Sequence, residues 1–485
     1  MPPEEVPLPL EPYKIKAVEM LHRPSMAERE AALRRSGYNL FNLTSEEVFI
    51  DLLTDSGTSA MSDRQWAALM TGDESYAGSR NFLDFERTVQ DLTGFPFVLP
   101  SHQGRAAENL LFSSLVHPGQ VVPNNMHFDT TQAHVLRQGA RPVNLAVREA
   151  YDVRAELPFK GNMDTARLEE TLRKEGKNVP LVMMTLTNNT GGGQPASLAN
   201  LREVSRVCRA HHVPFYLDMC RWAENAFFVH EREEGMRSRS IAEIGRSIFD
   251  LADGATMSAK KDGLVNMGGF VATRDAALVP RLKELLITFE GFPTYGGLAR
   301  RDLSAMAVGL REATQLDYLE HRVGQVRYVA SLLDQDGIPF MRPPGGHGLY
   351  LDAHAFLPHL RPDELPGQAL AVEIYREGAV RTCEVGGVMF GSDQPEPGAP
   401  PRLELVRLAF PRRVYTASHF HYVAEVVRRV WKRRASVEGM VMVEAPERLR
   451  HFLAKFGPAP KKGAPGPRPS SPSTPELQGR GRSNA

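Results

Sequence analysis

The chain has 485 residues, enough for about two domains, because single hydrophobic cores rarely grow beyond roughly 250–300 residues. Its 58 Lys and Arg residues equal its 58 Asp and Glu residues, so no net charge draws it toward nucleic acid or an anionic membrane. We therefore expect small neutral or zwitterionic partners, no nucleic acid and no membrane.

The cysteine content and the composition of the two chain ends exclude further classes of protein. Three cysteines without a C-x-x-C pair argue against a disulfide framework and a structural zinc site. The first residues are proline-rich and acidic, and no apolar run reaches about 18 residues, so we expect a cytoplasmic protein without signal peptide or membrane span. Residues 457–485 are rich in Gly, Pro and Ser, and we expect them to be disordered.

A loop in the first third of the chain has the features of a phosphate site. The sequence SHQGR at residues 101–105 comes directly before a helical pattern of apolar residues at 107–115. Backbone N–H groups at a helix start, with a cation nearby, can bind phosphate. A capping loop with a surface arginine would look the same, so the loop alone leaves both interpretations open. The chain has no G-x-G-x-x-G and no P-loop, which argues against dinucleotides and ATP.

The middle of the chain alternates strand and helix patterns. Apolar runs predict strands at 180–186, 213–217, 254–257 and 270–272, with helical patterns between the first three. This order predicts an α/β fold with a mostly parallel sheet covered by helices on both faces.

Polar side chains follow three successive predicted strands. Asn189 lies after the first, Asp218 and Arg221 lie after the second, and Lys260 and Lys261 lie after the third. Ligands of open α/β sheets bind at the carboxyl ends of the strands, so these groups should converge. An isolated Lys-Lys pair is usually a solvated turn. Two adjacent ammonium groups at a strand end, however, lower each other's pKa, which favours a Schiff base with an aldehyde.

A lysine, a carboxylate and a phosphate loop together predict pyridoxal 5′-phosphate as the cofactor. Lys261 or its neighbour would bind the aldehyde, and Asp218 would keep the pyridine nitrogen protonated. Arg221 and Asn189 would contact the phenolic oxygen, and Phe128 would stack on the ring.

The chain resembles the β-eliminating lyase family, which cleaves tryptophan or tyrosine, from about residue 13 to 456. The matching motifs are FIDLLTDSGT at 49–58, GDESYAGSR at 72–80, SHQGR, FDTTQ at 128–132, GGQP at 192–195, D-x-x-R-x-x-EN at 218–225, SAKKD at 258–262, EGFPTYGGL at 290–298 and VRLAFPRRVYT at 406–416.

The resemblance implies a pyridoxal-phosphate-dependent, transferase-like fold of type I. Residues 1–56 would form an N-terminal arm and the first part of a small domain, residues 57–310 the large cofactor domain, and residues 311–456 the rest of a small α+β domain. The assembly implied is a homotetramer with active sites at subunit interfaces.

The resemblance also implies a role for each matching residue. Lys261 would carry the cofactor and Lys260 would tune it, while Arg407 would grip the substrate carboxylate with its planar fork. The other implied roles are phosphate binding by Gln103, Gly104, Arg105 and Ser258, substrate contact by Ser56, proton donation to the leaving group by Tyr76, and potassium binding by Glu74, the carbonyl of Gly57 and Asn266.

Three positions concern the leaving group. Asp129, Val385 and His451 resemble the tryptophanase branch, because phenol-lyases carry threonine, arginine and phenylalanine there. Residues 265–270 and 297–328 resemble the phenol-lyase branch instead. We expect cleavage of L-tryptophan to indole, pyruvate and ammonia, since leaving-group choice depends on the pocket. Tyrosine phenol-lyase activity is the alternative.

Two other functions share part of this pattern. An aminotransferase would also need Lys261 and Asp218 but would release a keto acid without ammonia. A catalytically inactive scaffold would be expected to have lost Tyr76, Arg407 or Lys261, and all three are present.

Overall fold

The structure is a computed structural model, and it describes residues 8–390, 403–446 and 449–460. In these ranges the strands are β1 Ile50–Asp51, β2 Phe97–Ser101, β3 Val121–Asn124, β4 Arg141–Asn144, β5 Val182–Thr185, β6 Phe215–Asp218, β7 Gly254–Ser258, β8 Gly269–Thr273, β9 Gly348–Asp352, β10 Val380–Arg381, β11 Cys383–Val385, β12 Leu405–Ala409, β13 Met440–Glu444 and β14 Lys455–Pro458.

The α-helices surround these strands in the same ranges. They are α1 Met26–Arg35, α2 Asp63–Met70, α3 Arg80–Thr93, α4 Gly104–Leu115, α5 Asp129–Arg137, α6 Thr165–Glu175, α7 Leu198–Ala210, α8 Trp222–Arg232, α9 Ile241–Phe249, α10 Val279–Phe289, α11 Arg300–Glu312, α12 Leu316–Asp334, α13 Ala353–Phe356, α14 Pro366–Gly378, α15 Gly387–Phe390, α16 Ala417–Lys432 and α17 Arg450–Leu453. None of them has both the length and the apolar character that a membrane span requires.

The central sheet has seven strands in the order β2-β8-β7-β6-β5-β3-β4. Neighbours from β7 to β4 are parallel, and β8 alone runs antiparallel to both of its neighbours. The strand β5 is buried along its whole length because helices cover both faces of the sheet. The predicted α/β fold with a mostly parallel sheet is therefore confirmed.

The register of the central strands explains why their polar exits meet. Thr185 at the end of β5 pairs with Asp218, and Asp218 pairs with Thr256 near the end of β7. The residues that follow these three strands consequently lie side by side at one edge of the sheet.

Both ends of the chain contribute to a second, smaller layer. Ile50 in β1 pairs in parallel with Val380 in β10, and β11, β12 and β9 form an antiparallel sheet. One hydrophobic cluster unites apolar residues between 32 and 52 with others between 326 and 456, while the main cluster of the large layer runs from 82 to 323. The two clusters meet within α12. The division of the chain at residues 57 and 311 stays a prediction.

The first residues of the carboxyl-terminal segment that was predicted to be disordered are ordered. Gly457 and Pro458 belong to β14, where Gly457 pairs with Val441, so these first two residues of the segment expected to be disordered form a strand. The buried side chain of Phe456 anchors this strand against the smaller layer. Residues 461–485 lie outside the described residues.

Candidate active site

A cavity of about 250 Å³ opens at the carboxyl edge of the central sheet. Most of the residues predicted for the site line it, namely Ser56, Gln103, Gly104, Arg105, Phe128, Asp129, Asn189, Asp218, Arg221, Ser258, Lys260, Lys261, Arg407 and His451. They come from strand ends, helices and loops that are far apart in sequence, and the fold brings them together.

The start of α4 forms a tight cradle against β7. A Cβ atom added to Gly104 would lie 2.4 Å from the Cβ of Ser258, so only glycine allows this approach. The Ser258 hydroxyl is buried and has no hydrogen-bond partner among the described residues. A free hydroxyl beside the unpaired N–H groups of a helix start fits the phosphate of the predicted cofactor.

The two adjacent lysines have different surroundings. The Lys260 amine donates a hydrogen bond to the Gln103 side-chain oxygen at 3.1 Å. Burial lowers the pKa of Lys260 to about 8, and the charges of Lys261 and Arg105 act in the same direction. Lys261 also lines the cavity, but it has no such hydrogen bond to the loop at residues 101–105 among the described contacts.

Asp218 is the last residue of β6, and Arg221 lies in the turn that follows this strand. Burial raises the pKa of Asp218 above its ordinary value, and the positive charge of Lys261 opposes this effect. Arg221 is held by the Asp55 carboxylate, which accepts from Nε at 3.0 Å and from Nη2 at 2.7 Å. A carboxylate and an oriented guanidinium therefore lie on the same side of the cavity as the lysines.

Arg407 extends from β12 toward the same space. Its Nη1 donates to the Asn189 side-chain oxygen at 3.1 Å, and its Nη2 donates to the Leu53 carbonyl at 3.0 Å. The Asn189 oxygen also accepts from the Tyr350 hydroxyl at 2.6 Å and lies 3.0 Å from Nε2 of His347. This oxygen is fully engaged, so the Asn189 NH₂ group is left as the donor.

The far wall of the cavity contains a carboxylate and an imidazole in contact. Nε2 of His451 lies 2.9 Å from Oδ2 of Asp129, and both side chains are buried. The rings of Phe41 and Phe452 flank the imidazole, with centroids 5.8 and 3.9 Å from it. The pair thus presents polar atoms within an aromatic surrounding.

Val385 and Tyr76 are not among the residues that line the cavity. Val385 is buried in a cluster with Leu53 and other apolar residues behind the wall. The Tyr76 side chain is 61% exposed, and its ring packs against Tyr295 at 5.3 Å between centroids. A hydrogen bond with Tyr295 raises the pKa of Tyr76. Their predicted contacts with the leaving group stay predictions.

The residues predicted for a potassium site are only partly in contact. The Asn266 amide donates to the Gly57 carbonyl at 3.0 Å, whereas the Glu74 carboxylate lies 3.7 Å from Nε of Arg301. No cluster of three His, Cys, Asp or Glu residues with metal-binding geometry occurs in the described part of the chain.

Glu108 is a site residue that the sequence interpretation missed. Its carboxylate lines the cavity and accepts hydrogen bonds from the hydroxyls of Thr130, at 3.0 Å, and Thr131. Burial raises the pKa of Glu108 to about 7, and the Asp218 carboxylate acts in the same direction. Glu108 is the single acidic residue of α4 and lies one turn after Gly104, on a face whose other residues are small or apolar, and this was the signal that could have revealed it.

Comparison with known proteins identifies the family. The model of the family described as beta-eliminating lyase matches residues 51–426. A tryptophanase from Hyphomonas neptunium is 52% identical over 447 residues, which are 92% of this chain and 98% of that protein. A tyrosine phenol-lyase from Pasteurella multocida is 48% identical over 453 residues, which are 93% of this chain and 99% of that protein.

Relatives of both kinds thus match at nearly equal identity over nearly the full chain. A tryptophanase from Salinibacter ruber, 51% identical over 449 residues, covers 93% of this chain and 95% of its own. Overall similarity supports β-elimination by a pyridoxal-phosphate-dependent carbon–carbon lyase without selecting the leaving group. Because the family model matches more than half of its length, the chain belongs to the β-eliminating lyase family.

Proposed function

We propose that this protein cleaves L-tryptophan to indole, pyruvate and ammonia with pyridoxal 5′-phosphate as cofactor. The observation that carries the choice of substrate is the buried pair of Asp129 and His451 on the cavity wall. A carboxylate can accept the indole N–H, whereas a phenolate would need a cation at this place.

The residues of the cavity have different roles in the proposed reaction. When bound, pyridoxal 5′-phosphate stabilises the negative charge that develops on the substrate Cα. Ser258 and the start of α4 hold its phosphate, and Asp218 and Arg221 hold its ring. Arg407 binds the substrate carboxylate in the orientation that Asn189 and Leu53 impose on its guanidinium, and the Lys261 amine accepts the Cα proton.

Cleavage at Cβ requires a proton on the aromatic ring, which turns it into a better leaving group. We assign this donation to Tyr76. Because Tyr76 does not line the cavity of its own chain, it would serve the cavity of a neighbouring subunit in a homotetramer. Exposed apolar side chains in the same region, including Trp66 and Met70, support an interface there.

The substrate assignment is tested by measuring kcat/KM for L-tryptophan and L-tyrosine with the same preparation. We expect indole release to be clearly faster than phenol release. A buried acceptor left unpaired costs about 1–3 kcal/mol, so a substrate without the indole N–H should lose roughly tenfold or more. Faster release of phenol would overturn the proposal in favour of tyrosine phenol-lyase activity, which the stretches at 265–270 and 297–328 favour.

The variant Asp129→Ala separates leaving-group recognition from general damage. It should lower turnover of L-tryptophan strongly and turnover of an S-alkyl cysteine only weakly, because the thiolate leaves without this contact. An equal loss for both substrates would remove Asp129 from leaving-group recognition.

A potassium site is a further part of this proposal. Glu74, the Gly57 carbonyl and Asn266 would bind the ion and order the active-site loops, so activity should depend on potassium or ammonium and fall in sodium alone. Equal rates in all three salts would contradict the site. We also propose a cytoplasmic location, which the free, buried state of Cys208, Cys220 and Cys383 supports.

A further inference from the structure

Six charged side chains form a buried cluster beside the cavity. They are Asp55, Arg221, Glu224, Asp262, Arg322 and Arg412, three of each sign, and their side chains are at most 3% exposed. Burying an ion pair costs desolvation energy that apolar residues of similar size would avoid. A cluster of this size therefore indicates a role beyond packing.

The cluster is joined to the site at two points. Asp262 follows Lys261 directly in the chain, and its Oδ2 accepts the N–H of Ala223 at 2.8 Å at the start of α8. Arg221 is the residue before that helix and lines the cavity. The cluster thus contains Arg221 itself and the residue that follows Lys261 in the chain.

Arg412 links these two points from the smaller layer. Its Nη1 donates to Oδ2 of Asp55 at 2.9 Å, and its Nη2 donates to Oδ1 of Asp262 at 2.9 Å. Asp55 is therefore hydrogen-bonded to two guanidinium groups, because its carboxylate also accepts the paired hydrogen bonds from Arg221, and Nη2 of Arg322 lies 3.7 Å from its Oδ2. A fork-to-carboxylate contact of this kind fixes both position and plane of the guanidinium.

One nitrogen of the Arg221 guanidinium, Nη1, is left available to a ligand. Nε and Nη2 are taken by Asp55, while the described contact of Nη1 is the Cys220 sulfur at 3.7 Å. Asp55 thereby decides where Nη1 lies in the cavity. Among the described residues that contact Arg221, no other carboxylate forms a hydrogen bond with it.

We propose that Asp55 is a positioning residue for the cofactor site, because it fixes the Arg221 guanidinium and, through Arg412, ties it to Asp262 beside Lys261. This inference rests on the proposed function in one respect, the contact of Arg221 with the oxygen of the cofactor ring. Asp55 itself does not line the cavity.

The test compares Asp55→Asn with the unmodified chain in two measurements on the full-length protein. Equilibrium binding of pyridoxal 5′-phosphate should weaken by about tenfold, the lower end of the loss that follows removal of a partner that orients a metal ligand. The pH midpoint of the absorbance change of the bound cofactor should rise, because a guanidinium held beside the ring favours the deprotonated chromophore.

A matched control is Glu231→Gln. Glu231 also receives two hydrogen bonds from one guanidinium, that of Arg327, and it lies on α8, but it does not line the cavity. The control should keep both the affinity and the pH midpoint. Equal changes in the two variants would mean that any lost ion pair has this effect, which would overturn the proposal.

A second variant keeps the test decisive if Asp55→Asn does not fold. Asp55→Asn combined with Arg412→Gln removes one buried charge of each sign and still releases Arg221, so it should show the same two changes. A folded variant with unmodified affinity and midpoint contradicts the inference. If the unmodified chain binds no pyridoxal 5′-phosphate, or binds it and releases neither indole nor phenol, the proposed function fails instead.

Discussion

Lys260 and Lys261 are neighbours in the chain and both line the cavity, but their amines have different surroundings. The Lys260 amine donates a hydrogen bond to Gln103 in the loop at residues 101–105, whereas Lys261 lies near Asp218 and Glu108. The local geometry therefore separates two residues that composition alone cannot distinguish.

Borohydride reduction of the protein loaded with pyridoxal 5′-phosphate should fix the cofactor to the peptide that contains Lys261. Peptide mass spectrometry locates the modified lysine, and Lys261→Ala should abolish the modification. Modification of Lys260 in the unmodified chain would show that the two roles are exchanged.

Glu108 should make stability depend on pH near neutrality. Its pKa is about 7 in the folded protein and 4.5 ordinarily, so the folded state binds the additional proton between these values. Stability from this group is present at low pH and is lost as the pH rises through 7. Between roughly pH 5.5 and 8 the loss is about 2 kcal/mol, since each pKa unit corresponds to about 1.4 kcal/mol.

Denaturant unfolding of Glu108→Gln and of the unmodified chain at both pH values measures this effect. The variant should gain stability relative to the unmodified chain as the pH rises. Parallel pH profiles for the two proteins would contradict the raised pKa.

The sequence predicted those site residues that follow buried strands. Asp218 and Arg221 come directly after an apolar run, and the rule for ligands at strand ends places them correctly. Glu108 could not be placed in the same way, because a lone glutamate on a helix is normally solvated. Its burial depends on Thr130 and Thr131, which the fold brings to it from another helix.

At the level of elements, the long apolar runs were the most informative part of the sequence. The predicted strands at 180–186 and 254–257 became β5 and β7 within a few residues. The strands β9, β11 and β12 of the smaller layer have three to five residues and pair across long sequence separations. Their patterns are too short to identify from local periodicity, so only the chain length and the family resemblance indicated a second domain.

The contact between α4 and β7 predicts a strong effect of one methyl group. Gly104→Ala would place a Cβ 2.4 Å from that of Ser258, so helix or strand must shift. We expect a loss of about 1–3 kcal/mol in stability, the usual cost of overpacking, and weaker binding of pyridoxal 5′-phosphate.

Gly324→Ala in α12 is the matched control, because the nearest atom to its added Cβ is the Pro9 Cβ at 3.5 Å. This variant should bind the cofactor normally and be equally or slightly more stable. Thermal unfolding measures the stability of both variants, and titration with pyridoxal 5′-phosphate measures their affinity for the cofactor. Normal cofactor affinity in Gly104→Ala would mean that the phosphate does not bind at the start of α4.

At the scale of the whole molecule, the exposure of Tyr76 predicts that active sites are shared between subunits. Mixed oligomers of Lys261→Ala and Tyr76→Phe should regain part of the lyase activity that each variant lacks alone. Some cavities would then combine an intact Lys261 with an intact Tyr76 from the neighbour. The measurement is indole release after joint dissociation and reassembly.

The control mixture combines Lys261→Ala with Arg407→Lys. Both residues line the cavity of their own chain, so no mixed oligomer contains an intact pair and activity should not return. Recovery in the control, or none in the test mixture, would contradict a shared site.

The parallel pairing of β1 with β10 has a consequence for synthesis on the ribosome. Ile50 leaves the ribosome about 330 residues before its partner Val380. At roughly 5–20 residues per second, this segment waits about 15–65 s for the strand that completes it. The core between residues 82 and 323 can form during that interval, because its members are all made before β10. The nascent chain therefore exposes the apolar residues around β1 beside an already folded large layer, and this is the stage at which we expect a chaperone that shields short apolar segments to raise the yield of native protein.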